Sequence, residues 1–150
     1  MIPMTKNQKI ISILASIFLI FLSNDKILSQ DKNLLLFENK AKLIITSQIK
    51  AFKNQNVTEA YSFASPFIKS KFANAVVFGL MVKSSYPMIW APKEFKFLEF
   101  NFFNESLIQR VLFIDKNDQI FMFDYEIKNY GQDQWLINGV YQVNKPSSGA

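Results

Sequence analysis

A chain of 150 residues with 15% aromatic content, dominated by phenylalanine, has the apolar mass for one domain with a buried core and too much of it for a disordered chain. Its formal charge of +5 comes from scattered lysines and one arginine, Arg110, with no basic run longer than two residues. The clustered, arginine-rich footprint of a nucleic-acid reader is therefore missing. Cysteine and histidine are both absent, which excludes disulfides, thiolate nucleophiles, zinc fingers, lipid attachment at cysteine, serine–histidine triads and His-ligated zinc or iron. Calcium or magnesium held by carboxylates stays allowed, but no Asp-rich calcium loop is present. The expectation is no metal and no other cofactor.

In chain order, Lys6 and Lys9 open a basic start without acids, and residues 10–22 are then apolar except for Ser12 and Ser16. That is the build of a secretory signal. It is shorter than the ~20 residues of a membrane-spanning helix. Ile27-Leu28-Ser29 before Gln30 is the best place for a cut, although an alanine-rich ending is missing. The rival is an uncleaved N-terminal anchor. Both put the domain outside the cytoplasm, periplasmic or secreted, and only the second attaches it to a membrane. The expected organisation is a signal over residues 1–29, one domain over 30–144 and a frayed tail over 145–150.

Residues 33–54 read as an amphipathic helix of about five turns. Phe37, Ala41, Ile44, Ile45, Gln48, Ile49 and Phe52 fall on one stripe, with Asn39, Lys42, Thr46, Lys50 and Lys53 opposite. Such a helix covers a sheet face more readily than it lies on an anionic membrane. Asn56 with Glu59 makes a capping-box start for a short second helix, and Ser65-Pro66 starts a third. Asn74 caps a fourth over residues 75–84, in which Val77, Phe78, Met81 and Val82 share a face. Tyr86-Pro87 ends it, because the residue before proline avoids helical angles. Residues 88–91, between Pro87 and Pro92, read as extended, with a short extra edge strand as the expectation.

From residue 94 onward the pattern changes to strands. Bulky apolar residues recur at strand spacing in residues 95–103, 107–114, 120–127 and 135–143, separated by short polar breaks. Tight connections predict an antiparallel meander. Gly139, in the middle of the last strand, is a natural place for a bend or bulge.

Ala60-Tyr61-Ser62-Phe63-Ala64-Ser65-Pro66, then Phe78, Met81-Val82, Tyr86-Pro87 and Pro92, resemble a family of small bacterial proteins catalogued as a domain of unknown function, number 4864. Gln109-Arg110-Val111 and Trp135-Leu136-Ile137-Asn138-Gly139-Val140 continue the likeness, which covers about residues 48–143. Around Asn117-Asp118 the chain departs from the Asp-Gly turn usual in the family, and Asp118 enters the left-handed region less readily than glycine. The resemblance implies an α+β fold of the nuclear transport factor 2-like (cystatin-like) kind. In that cone, N-terminal helices fill the concave side of a curved four-stranded antiparallel sheet. It implies no catalytic residues.

Cones of this kind keep a cavity between helix and sheet. A two-residue loop within residues 115–119 puts Arg110, Leu112 and Ile114 on one face with Tyr125, Phe123 and Phe121. Arg110, Tyr125, Tyr86 and Trp90 are then the pocket candidates, with Arg110 anchoring a small anionic ligand beside phenol donors. The plainer alternative has Arg110 lying along the sheet or paired with Glu126 or Glu99, and a slip of one residue turns it to the other face. Asp124 and Glu126, followed by Lys128, read as the solvated face and not as an acid–base pair. The chain thus reads as a non-catalytic module binding a small ligand or an envelope protein partner. The alternatives are a cavity enzyme of isomerase or hydrolase type using a carboxylate and a tyrosine, and an accessory envelope protein that homodimerises through the convex face.

Overall fold

The computed structural model describes residues 32–143, so the expected signal, its cut after Ser29 and the C-terminal tail lie outside the described residues. The chain divides into two units, Met1–Leu36 and Phe37–Ala150. In the first, residues 32–36 are helical and exposed. In the second, helices cover one face of an open antiparallel sheet of four strands in the order β1-β2-β3-β4. Among the described residues no helix is long and apolar enough to cross a membrane.

Helix α1 (residues 32–53) follows the expected stripe: Ala41, Ile45, Gln48, Ile49 and Phe52 are buried, and Thr46, Lys50 and Lys53 face solvent. The short helices start where their caps predict. Asn56 Oδ1 accepts from the Glu59 N–H to open α2 (Val57–Ser62), and Ser65 Oγ accepts from the Ile68 N–H to open α3 (Pro66–Lys69). Asn74 Oδ1 does the same for α4 (Ala75–Ser85) through the Val77 N–H. In α4 the buried side is Phe78, Gly79 and Val82, whereas Val77 faces solvent, contrary to the expected stripe.

Residues 88–91 form no edge strand. Pro87 opens a further turn of helix, α5 (Pro87–Trp90), closed by hydrogen bonds from the N–H groups of Trp90 and Ala91 to the carbonyls of Tyr86 and Pro87 at 3.0 and 3.1 Å. Proline at the first helical position has its φ already set, and it loses no N–H that the helix would use. The proline read as a strand boundary is a helix start.

The strands β1 (Glu94–Phe103), β2 (Ser106–Ile114), β3 (Ile120–Asn129) and β4 (Trp135–Val143) match the expected meander. Two bulges interrupt the ladders. One lies between Phe97 and Phe100, where Gln109 Nε2 donates to the carbonyls of Leu98 and Glu99 at 3.1 and 3.2 Å. The other inserts Asn138 between Ile137 and Gly139, at the place the glycine marks. The exposed Tyr141 ring lies over Gly139, where a Cβ would push it aside.

The inner face of β2 and β3 presents Leu107, Val111, Phe113, Phe123, Tyr125 and Ile127, all fully buried against α1, α4 and α5. Each such aliphatic or phenyl side chain contributes roughly 1.5–3 kcal/mol by leaving water. A parallel bridge of Ala64 to Ile137 ties the α2–α3 joint onto β4, with Ser65 N–H to Ile137 O at 2.8 Å and Ile137 N–H to Phe63 O at 2.9 Å.

Candidate functional site

The β2–β3 connection decides which side chains can meet a ligand. Ile114 pairs with Ile120, and Asp115 closes the loop through its N–H to Gln119 O at 3.0 Å. The carboxylate of Asp115 accepts from the N–H groups of Asn117 and Gln119 at 2.8 and 2.9 Å, and Asp118 takes φ +61°. That is a turn followed by a left-handed residue, one residue longer than the two-residue loop assumed from the sequence. Asp118 accepts the position usually given to glycine, and it pairs with Lys93.

One added residue turns every β2 side chain to the other face relative to β3. Arg110 consequently pairs with Asp124, not beside Tyr125, and points to the outer face. Its Nε and Nη2 donate to the two Asp124 oxygens at 2.8 and 2.9 Å, with Glu99 3.8 Å away. The expected cationic anchor is corrected to a neutralised, forked ion pair on the solvent side.

The inner face borders a cavity of about 250 Å³ between α1, α3, α4, α5 and the middles of β3 and β4. Phe52, Phe78 and Met81 from the helices and Phe72 from the α3–α4 connection supply its apolar wall, and Ile137 and Val140 the sheet side. Two of the four sequence candidates line it. Tyr125 rises from the middle of β3, and Tyr86 comes from the end of α4, where its ring meets Phe123 edge-on at 6.0 Å. Trp90 does not. It packs on Phe52 at 5.4 Å and borders a separate shallow depression with Gly79, Leu80 and Lys83. The structure therefore brings Tyr86 and Tyr125 to one hollow and leaves Trp90 and Arg110 outside it.

Besides Tyr141, whose hydroxyl donates to Glu126 at 3.3 Å, three polar residues of the cavity were not among the candidates. Among the described residues Lys71 is the one charged side chain that lines it, exposed, with Nζ over the Phe67 ring at 4.2 Å. Gln48 is buried and donates from Nε2 to Ala60 O at 3.2 Å. It was legible as the amide within an otherwise apolar stripe of α1. Asn138 is the bulge residue of β4, and no spacing rule marks it. Lys71, in the loop after a helix of four residues, carries no periodic signal either.

Behind the cavity wall lies a satisfied polar network. Asn138 Oδ1 accepts from Ser65 Oγ and Tyr130 Oη at 3.1 and 2.6 Å, and its Nδ2 donates to Glu126 at 2.9 Å. Glu126 also accepts from Ser106 Oγ at 3.0 Å and pairs with Lys128 at 3.1 Å. Burial pushes the Glu126 pKa up, but the hydrogen bonds from Asn138, Lys128 and Ser106, with the Lys128 charge, hold it below the usual value. Glu126 is thus kept ionised, the opposite of the raised carboxyl that general acid catalysis requires. Among the described residues no Asp or Glu lines the cavity. Tyr125 is fully buried, burial pushes its phenol pKa upward, and its hydroxyl has no hydrogen-bond partner among the described residues.

Compared with known proteins, residues 37–150 match the sequence pattern of a family described as a domain of unknown function (DUF4864). No curated protein and no solved structure matches the chain.

Proposed function

We propose the following for a chain that belongs to the DUF4864 family: the cavity takes up a small amphipathic molecule without transforming it. The observation that carries this reading is an apolar hollow of about 250 Å³ in which Lys71 is the one charged side chain among the described residues. A cavity of about 150 Å³ holds benzene, and drug-sized sites begin near 300 Å³, so the fit is to one or two rings or a medium-length chain. The apolar body enters between Phe72, Met81 and Val140, and an anionic end stays in water beside Lys71.

Isomerase or hydrolase chemistry with a carboxylate and a tyrosine is not favoured, because the lining supplies tyrosines but no carboxyl group. The accessory-subunit reading is not favoured either. It calls for an apolar outer face, and there the Arg110–Asp124 and Lys128–Glu126 pairs interrupt Leu112 and Met122. The cone superfold of the nuclear transport factor 2 kind belongs to this proposal, supported by helices on one face of a bulged four-stranded sheet.

Anilinonaphthalene sulfonate, an anionic two-ring fluorophore, tests the reading directly. Its emission rises on binding to the folded protein, decanoate displaces it, and Met81→Trp, which fills the cavity, abolishes the rise without unfolding the domain. Equal emission from the wild type and Met81→Trp overturns the proposal. Export is proposed alongside, on the basic start and the apolar run of residues 10–22. A mature mass starting at Gln30 fits a cleaved signal, and an intact mass in the membrane fraction fits the anchor. An intact chain in the cytoplasm removes both.

A further inference from the structure

We propose that the molecule held in this cavity carries a neutral hydrogen-bond acceptor at its buried end, received by the hydroxyl of Tyr125; this rests on the binding reading above. Buried hydroxyls in folded proteins almost always have a partner. The Tyr125 hydroxyl is buried and has none among the described residues, although the residue lines the cavity. Its ring is packed by Phe113, at 6.4 Å between centroids, so the side chain is set in place by the core. A phenylalanine would pack the same ring without an unpaired group.

The other buried polar side chains of the cavity are already engaged. Gln48 donates to Ala60 O, and Asn138 is held by Ser65, Tyr130 and Glu126. Tyr125 alone among the buried ones has no partner among the described residues, whereas Tyr86 is only half-buried and Lys71 is exposed. Burial pushes its pKa up, which keeps the hydroxyl protonated at ordinary pH. The acceptor it meets is neutral, because a carboxylate facing one neutral donor in an apolar hollow is poorly compensated. A carbonyl, ester or ether oxygen therefore belongs at Tyr125, and a negative charge belongs at Lys71.

The test uses a matched pair of probes, 2-acetylnaphthalene and 2-ethylnaphthalene, which differ in the acceptor oxygen. The wild type is expected to prefer the ketone by about tenfold, the value of one net hydrogen bond in a dry site. In Tyr125→Phe the preference falls to about one, while the free variant melts at or above the wild-type temperature, since an unpaired group has been removed. Tyr86→Phe keeps the ketone preference. A preference that survives Tyr125→Phe overturns the inference, and so does a wild type that binds both probes equally. A Tyr125→Phe variant that melts lower shows that the hydroxyl has a protein partner, with the same consequence. Anilinonaphthalene sulfonate bound with neither naphthalene retained also removes this inference alone. Failure of all three probes removes the binding reading with it.

Discussion

Along β3, Phe123, Tyr125 and Ile127 turn inward and are fully buried, while Asp124, Glu126 and Lys128 turn outward. Both sets hang from the same hydrogen-bonded ladder. On the outer face every charge has an opposite within reach: Arg110 with Asp124, Lys128 with Glu126. On the inner face the charges are gone, and a phenol is left without a partner. Charge that is already matched cannot recruit a ligand, whereas one unmatched donor in an apolar hollow can.

The contrast breaks first, and by the largest margin, at the core. Phe123→Ala is expected to cost about 3–5 kcal/mol in urea unfolding, because it leaves a cavity between Phe113 and Tyr86. A cost below about 1 kcal/mol would mean that the inner face is not packed as described. Next is Asn138→Ala, expected to cost about 1–3 kcal/mol by stranding the partners it holds on Ser65, Tyr130 and Glu126. Denaturation with retained Tyr130 fluorescence change is the check.

Smaller effects separate the two faces more finely. Asp124→Asn on the half-exposed outer pair should cost about 0–1 kcal/mol and leave fluorophore binding untouched. A loss of binding there would return Arg110 to the site. Lys71→Gln should weaken fluorophore binding about threefold at low salt, less at high salt, without changing stability. Glu126 supplies the pH dependence. Its folded pKa lies below its ordinary value of 4.5, so its contribution to stability is fully present above that pH and is lost as pH falls through the folded value. Glu126→Gln should flatten this acid limb in melting curves recorded from pH 5 downward. An unchanged slope would show that the network around Asn138 does not hold the carboxylate.

The sequence alone carried four strands, the long covering helix and three helix caps, because each rests on local chemistry. Alternation places side chains on two faces, and Asn, Ser and Pro cap or start helices within three residues of themselves. It misled at Pro87, where one residue type serves both as helix start and as strand boundary, and neighbours decided between them. Tyr86 and Tyr125 were legible as cavity residues from their place on apolar elements. Lys71 and Asn138 were not, since the first sits in an irregular loop and the second is the extra residue of a bulge.

What composition and periodicity determined by themselves is an α+β domain without histidine or cysteine chemistry, in which helices precede a four-stranded meander. What only the tertiary structure decided is that the arginine turns to the face opposite the tyrosine of the neighbouring strand. The reason is one residue in a hairpin: Asp118 accepts a left-handed backbone, the loop lengthens by one, and the period of two carries that choice through the whole ladder.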